Sequence, residues 1–393
     1  MNKILLNTGI QIYIKNNLNT DIMSVLLKKS DFEGVSPKEL AQQIESKQKC
    51  KNKLPTWYST PQIYYPKKLN IEQTSSEITA QYKSRLVAGK SLLDITGGFG
   101  VDSYFFAQKT GLVYHCEIDK NLSKIAAYNF KILDIKNITV IAQNGIDFLI
   151  DSPLKFDWIF IDPSRRNEAK GKVFFLADCL PNVPEHLELL FSKTKNVFIK
   201  TSPLLDFSIG IKELQFVKEI HVVATNNEVK ELLWVLDKNC SGEIYIKTIN
   251  LKKTEDELFN FILSKEKEAV SDYGQPSKYL YEPNAAILKS GAFKTIGNQF
   301  QLKKLHEHTH LYTSDKLVNF PGRSFKINQV VPFQKKAIQK LGIAKANITT
   351  RNFPEPVAAI RKRFKIKDGG ENYLFFTKDG QGGKIVVLCS KIN

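Results

Sequence analysis

Cysteine is scarce and scattered. The chain has five, Cys50, Cys116, Cys179, Cys240 and Cys389, and no two form a C-x-x-C pair. That pattern argues against a disulfide scaffold or a zinc site and points to a reducing, cytoplasmic setting. Long apolar runs are missing too. None approaches the ~20 residues of a membrane span, and the amino terminus, MNKILLNTGI, has no extended apolar region of the kind a signal peptide needs. Two nucleotide-binding signatures are incomplete. Gly89-Lys90-Ser91 precedes the nearest apolar strand instead of following it, which excludes a phosphate-binding P-loop. A dinucleotide fingerprint would need glycine at position 103, where Ser103 stands. His306, His308 and His310 alternate as ligands on one strand face could, but no cysteine or acidic cluster completes a set, so no metal is expected.

What the chain does contain is unevenly placed charge. The total of +17 over 393 residues divides into +7 over residues 1–90, −4 over 91–276 and +14 over 277–393. Basic flanks around a mildly acidic middle suit a polyanionic partner held outside the site of chemistry. With 42% hydrophobic residues, the length is enough for two or three domains with real cores.

The middle region is organised around residues 92–104, LLDITGGFGVDSY. A short apolar strand ends on Asp94 and breaks into a turn containing Gly97, Gly98 and Gly100, and a helix follows from Val101 and Asp102. Three further apolar runs end on Glu117, on Gln143-Asn144-Gly145 and on Asp162-Pro163-Ser164-Arg165-Arg166. Four strand ends that each deliver acid, amide or glycine to one rim fit ligand binding at the carboxyl edge of a parallel, Rossmann-like sheet. In that reading Glu117 meets ribose hydroxyls and Asn144 faces a base edge.

The order Asp94…Gly98-x-Gly100, Glu117, Asn144, Asp162-Pro163 resembles motifs one to four of the class I S-adenosylmethionine-dependent methyltransferases. With the TSSEITA segment at 74–80, DPSRR, YEPNAA at 281–286 and the final DGGENYLFF, the chain resembles the bacterial members that carry a C-terminal THUMP-like domain. Two departures stand out: Thr96 replaces the usual first glycine of the loop, and Asn144 replaces the usual aspartate. The resemblance implies an α/β fold: a helical region and connector over 1–70, a Rossmann-like methyltransferase domain over 71–275, and a basic α+β, ferredoxin-like or THUMP-like region over 276–393. It implies S-adenosylmethionine as cofactor, held by Asp94, Thr96, Gly97, Gly98, Gly100, Asp102, Glu117 and Asn144. It also implies catalysis by Asp162, Pro163, Ser164 and Arg165, and RNA (tRNA or rRNA) as partner.

Local patterns fill in the rest. Helical spacing runs through residues 1–50, with Ser36 and Pro37 opening one helix. Thr74 with Glu77, and Thr254 with Glu257, have capping-box spacing, which predicts helices over 74–82 and 254–267. A helix over 178–190 would include Cys179. Trp57, Tyr58, Tyr64 and Tyr65 in the connector are expected to pack inward. A helix over 355–364 buries Val357, Ile360 and Phe364 and turns Arg361, Lys362, Arg363 and Lys365 outward, and Arg361, Lys362 and Lys365 are the candidate RNA contacts.

Enzymes that methylate exocyclic amines usually follow Asp-Pro with Pro-aromatic; here Ser164 and Arg165 fill those places. Carbon methylation needs a cysteine nucleophile, and the fifth strand is followed by Thr201-Ser202-Pro203 instead. A base nitrogen of structured RNA is therefore the expected acceptor. The alternatives are a small-molecule methyltransferase, which leaves the +14 region without a role, and a non-catalytic RNA-binding protein that keeps the cleft.

Overall fold

The computed structural model describes residues 1–165, with backbone only at Arg165, and residues 175–392. It divides into two compact units, Met1–Lys218 with Leu233–Ser241, and Glu219–Leu232 with Gly242–Asn393.

After a short 3-10 helix at Lys3–Leu6, the first unit continues with six α-helices: α1 (Thr8–Asn16), α2 (Ile22–Leu27), α3 (Pro37–Lys53), α4 (Pro55–Ser59), α5 (Lys68–Gln73) and α6 (Glu77–Ser84). Helix α3 starts where the sequence predicts. The Ser36 hydroxyl accepts from Glu39 N (3.3 Å) while the Glu39 carboxylate accepts from Ser36 N (2.9 Å), and Pro37 takes the first helical position. Then come β1 (Gly89–Asp94), α7 (Val101–Ala107), β2 (Thr110–Cys116), α8 (Lys120–Ile132), β3 (Ile138–Ile141), α9 (Gly145–Asp151) and β4 (Trp158–Ile161). A two-residue strand β5 (Ser164–Arg165) pairs with β6 (Cys179–Leu180), followed by α10 (Val183–Lys193), β7 (Asn196–Thr201) and α11 (Phe207–Glu213). Cys179 thus lies in a strand, not in the expected helix.

Strands β7, β4, β1, β2 and β3 are neighbours in that order, and every pairing is parallel. From β1 the chain first builds outward through β2 and β3, then returns to the other side for β4 and β7. The connections therefore diverge between β1 and β4, and a crevice opens at their carboxyl ends.

The amino-terminal helices share a core with this sheet's helices. Leu40, Ile44 and Trp57 pack with Val101, Phe105 and Leu122. Trp57 is fully buried, its ring 4.9 Å from that of Tyr104 and 6.2 Å from that of Phe99. The connector thereby braces the helix that follows the glycine turn. Helix α6 is capped by Ser76, which accepts from Thr79 N, and not by Thr74. Glu77 is drawn away from a capping role because its carboxylate accepts from Thr56 N (2.5 Å) and Oγ1 (2.8 Å).

Asp102 is not open to a ligand. It is 8% exposed, accepts from Ser75 Oγ (2.7 Å) and pairs with the fully buried Lys83 ammonium at 3.2 Å. This buried pair ties α6 to α7. Removing the cation alone strands a buried carboxylate, so Lys83→Met is expected to cost about 3–5 kcal/mol of stability in urea denaturation. A loss below 1 kcal/mol would show that Asp102 finds water instead.

The second unit contains residues of β8 (Val217–Thr225) and β9 (Glu228–Asp237), together with β10 (Tyr245–Leu251), β11 (Glu257–Ile262) and α12 (Leu263–Glu268). Strand β10 lies parallel to β8 and antiparallel to β11. The helix predicted over 254–267 is thus a strand followed by a short helix. Phe259 and Phe261 alternate inward while Leu258 and Asn260 face out, a period of two that the capping-box spacing masked.

The remainder is β12 (Tyr279–Pro283), α13 (Ala285–Ser290), α14 (Thr295–Gln299), β13 (Lys303–Lys304), β14 (Tyr312–Ser314), β15 (Gly322–Pro332), α15 (Lys335–Lys340), β16 (Lys345–Thr350), α16 (Val357–Phe364), β17 (Lys367–Lys378) and β18 (Lys384–Lys391). Its seven strands run β13-β14-β12-β15-β18-β17-β16 in one sheet. Consecutive residues serve opposite faces: Phe375 and Val387 join Leu280 and Phe325, whereas Phe376 and Val386 join Ile338 and Ile360.

Candidate active site

The rim of the crevice is built from the loop after β1. Gly98 (φ 58°) and Gly100 (φ 89°) both adopt left-handed backbone. At Gly100 a β-carbon would also strike the Phe130 ring, 2.4 Å away, so glycine is required twice over. At Gly98 a β-carbon would meet nothing nearer than 3.9 Å, so that face of the loop is open. Gly97 N donates to Cys116 O (2.8 Å) and Gly98 N to Glu117 Oε2 (2.8 Å), which pins the loop to the end of β2.

Asp94 lies beneath the loop, 1% exposed, and accepts from Ser103 Oγ (2.6 Å) and Thr96 N (3.1 Å). The Ser103 hydroxyl is also 2.9 Å from Nδ1 of the fully buried His115. The serine that breaks the dinucleotide fingerprint is thus the link in a buried Asp94–Ser103–His115 chain. Burial pushes the Asp94 carboxyl up from 3.8 to about 7 against the opposing Ser103 hydrogen bond, and burial pushes His115 down from 6.5 to about 4.

The signs of these two shifts oppose each other. The native chain keeps a proton on Asp94 that the unfolded chain releases, so that group's contribution to stability declines as pH rises from 3.8 towards 7. The native chain refuses a proton on His115 that the unfolded chain accepts, so its contribution grows between pH 4 and 6.5. His115→Gln should unmask the Asp94 slope. Its stability deficit relative to the wild type should widen by about 1.4 kcal/mol per pH unit over that window, read from urea midpoints. A pH-independent deficit would mean that His115 titrates normally.

Thr96, in place of the first loop glycine, has a structural role of its own. Its hydroxyl accepts from Asp162 N at 2.7 Å and lies 3.5 Å from Asp94 Oδ1, joining the β1 loop to the end of β4. Asp162 and Lys200 meet across the β4–β7 pair, where Ile161 is in register with Ile199. Lys200 Nζ is 2.5 Å from Asp162 Oδ2, and the side chains are 16% and 29% exposed. Pro163 is buried and Ser164 is exposed at the start of β5, while Arg166 lies outside the described residues. Lys200 is the functional candidate that the sequence reading missed. Thr201, next along, has its hydroxyl occupied as acceptor of Trp234 Nε1 (3.0 Å), and Cys179 is fully buried.

Residues 279–321 match a ferredoxin-like domain model and residues 322–391 a THUMP domain-like model. In the structure the two stretches complete one sheet, through the β12–β15 pairing. No curated protein matches the chain. Among solved structures, a candidate methyltransferase from Porphyromonas gingivalis W83 superposes with a TM-score of 0.90, at 32% identity over 98% of this chain and 98% of that one. The chain belongs to the same methyltransferase family. The M. jannaschii tRNA m1G37 methyltransferase (12% identity, TM-score 0.31, 43% of this chain and 51% of that one) and M. capricolum TrmK with S-adenosylhomocysteine (16%, 0.32, 46% and 71%) share far less and add nothing to the assignment.

The methyltransferase's own residues fit an adenosyl cofactor. The open face at Gly98 lets backbone approach a ligand closely. Glu117 accepts from Gly98 N and from Asp119 N (2.7 Å), which fixes a carboxylate whose remaining lone pairs suit ribose hydroxyls. Asn144 Oδ1 caps α9, accepting from Ile146 N (2.8 Å) and Asp147 N (3.4 Å), so its amide nitrogen is the part left for a base edge. Ile118, next to Glu117, is 68% exposed and offers an apolar surface on the same rim.

In the second unit the expected RNA contacts separate. Lys362 and Lys365 are exposed. Arg361 is a brace: its Nη1 donates to Ala346 O (3.1 Å), and its Nη2 pairs with Asp368. Arg363 pairs with Glu355 at 2.9 Å and covers the Phe333 ring. Of the histidines, His310 stacks on Phe293 with centroids 3.6 Å apart and His306 Nδ1 accepts from His308 N. Among the described residues no three His, Cys, Asp or Glu side chains group as metal ligands, and no helix is long and apolar enough to cross a membrane.

Proposed function

We propose that this methyltransferase transfers a methyl group from S-adenosylmethionine to a base nitrogen of structured RNA, tRNA or rRNA. The observation that carries the reading is the Thr96–Asp162 hydrogen bond of 2.7 Å, because it unites the loop suited to a cofactor and the carboxylate suited to an acceptor on one rim. When bound, the cofactor supplies an electrophilic methyl on a sulfonium. Glu117 and Asn144 orient its adenosine. Asp94, buried beneath the loop, accepts from Thr96 N and Ser103 Oγ and so fixes from below the backbone that would meet the ligand.

Lys200 occupies Asp162 Oδ2 and holds the carboxylate in place, and Oδ1, which has no hydrogen-bond partner among the described residues, is the oxygen assigned to the acceptor. Oδ1 accepts an amine N–H, which aims the nitrogen lone pair along the transfer line, and then takes the proton that the methylated nitrogen sheds. The buried Cys179 and the occupied Thr201 hydroxyl argue against carbon methylation, which needs a free nucleophile at the rim.

The RNA part of the reading is supported by the +14 of residues 277–393 and by the exposed Lys362 and Lys365. Charge reversal at both lysines should weaken RNA binding and lower the salt dependence by about 1.4 in log–log slope for a single strand, with cofactor affinity unchanged. The decisive experiment is mass spectrometry of nucleosides from total RNA, with and without the gene. Loss of one nitrogen-methylated base is expected. Loss of a carbon- or ribose-methylated nucleoside, or no change in RNA, overturns the assignment.

A further inference from the structure

A second cavity lies in the first unit, lined by none of the active-site residues. It has a volume of about 440 Å³ and is walled by α1, by Lys47 of α3, and by residues 58–62 at the end of α4. Its chemistry is amphipathic. Leu6, Ile12 and Leu18 give it an apolar wall, and Ile12 is left 54% exposed. Two lysines, Lys15 and Lys47, and the Tyr58 ring also line it. Of the four aromatic residues in the connector, Trp57, Tyr64 and Tyr65 are buried in the core, while Tyr58 stays half-buried at this cavity.

The lysines are the unusual feature. Neither forms an ion pair among the described residues. Lys47 Nζ instead sits 5.9 Å from the centroids of both the Tyr58 and Tyr65 rings. Burial, and then the neighbouring Lys15 charge, push the Lys47 ammonium down from 10.5. The exposed Lys15 ammonium repels the half-buried Lys47 ammonium where both line the cavity, and an anion near the two would relieve that repulsion. A ligand with an anionic head and a flat, largely apolar body matches the arrangement, and the volume lies in the range of small-molecule sites.

We propose that this pocket binds one nucleoside phosphate unit, with the phosphate between Lys15 and Lys47 and the base against Tyr58 and the Ile12–Leu18 wall. The choice of a nucleotide over other amphipathic anions rests on the RNA reading above. The unit is either a free nucleotide or a nucleotide of the RNA substrate lying away from the target base.

Full-length protein titrated with adenosine monophosphate, and separately with a single-stranded oligoribonucleotide, tests this. Lys15→Gln and Lys47→Gln should each weaken binding about tenfold, equivalent to ~1.4 kcal/mol. Tyr58→Leu should weaken it as well, and Tyr58→Phe should restore it. S-adenosylhomocysteine affinity should not move in any variant. Loss of both nucleotide and oligonucleotide affinity identifies an RNA subsite; loss of nucleotide affinity alone identifies a free-nucleotide site. If neither probe distinguishes the lysine variants from wild type, or if those variants lose binding only to phosphatidylglycerol vesicles, the proposal is overturned. Its failure is separable from that of the proposed function. Lysine variants that methylate RNA at the wild-type rate and bind both probes normally sink the pocket alone. Lysine-dependent nucleotide binding in a protein that methylates no RNA sinks the RNA reading alone.

Discussion

Asp162→Ala is expected to lower methyl transfer by about 10²–10⁴-fold, the usual contribution of a positioned proton acceptor, while leaving cofactor affinity within a few-fold. The separation follows from the geometry. Thr96 holds the β4 end through the Asp162 backbone N–H, which alanine retains, so the loop beneath the cofactor should stay in place. Only the carboxylate is lost, and with it the Lys200 contact and the acceptor's partner. Lys200→Met should reproduce part of the defect, because Oδ2 loses its anchor while Oδ1 remains. Single-turnover kinetics with saturating cofactor, together with calorimetry for S-adenosylhomocysteine, reads both quantities. A parallel fall in affinity and rate would make Asp162 a structural support of the cofactor pocket and withdraw it from the reaction.

Gly98→Val should remove cofactor binding, by more than about 100-fold or ~2.7 kcal/mol. Two effects act together. Residue 98 has φ 58°, a region that costs an L-residue roughly 1–2 kcal/mol, more when it is β-branched. The added side chain also projects into the open face of the loop, since its β-carbon would meet no protein atom within 3.9 Å. For the same reason the protein should remain folded: nothing in the interior is displaced, and the melting temperature should fall by only a few degrees. Gly100→Val is a useful contrast, because its β-carbon collides with Phe130 and should destabilise the whole unit. Near-wild-type affinity in a folded Gly98→Val protein would move the cofactor away from this loop.

The strand ends that frame the crevice were legible because each is a local pattern. An apolar run followed by acid, amide or glycine places Asp94, Glu117, Asn144 and Asp162 at one edge as soon as the sheet is parallel. The strand order with its divergence between β1 and β4 then brings those ends to a single cleft. Lys200 was not legible in this way. A lysine closing an apolar strand looks like any solvated lysine, and only the β4–β7 register sets it against Asp162. Asp102 shows the converse: its position in the loop motif suggests a ligand contact, yet Lys83, 19 residues earlier in the chain, captures it.

By itself the sequence determined the alternation of strands and helices, the glycine turn, the Ser36 cap and the basic character of the last third, since each depends on residues within a turn or two of one another. It also carried the family, through the order of its motifs. Tertiary structure decided which charges are spent on architecture and which face a ligand. Arg361 reads as an outward cation on its helix, yet it braces Ala346 and Asp368 on strands β16 and β17. Residues 257–262 read as part of a helix, yet pairing with β10 makes them a strand. In each case the deciding contact joins elements whose adjacency is set by packing, and a local pattern of residues carries no record of which strand or helix will be its neighbour.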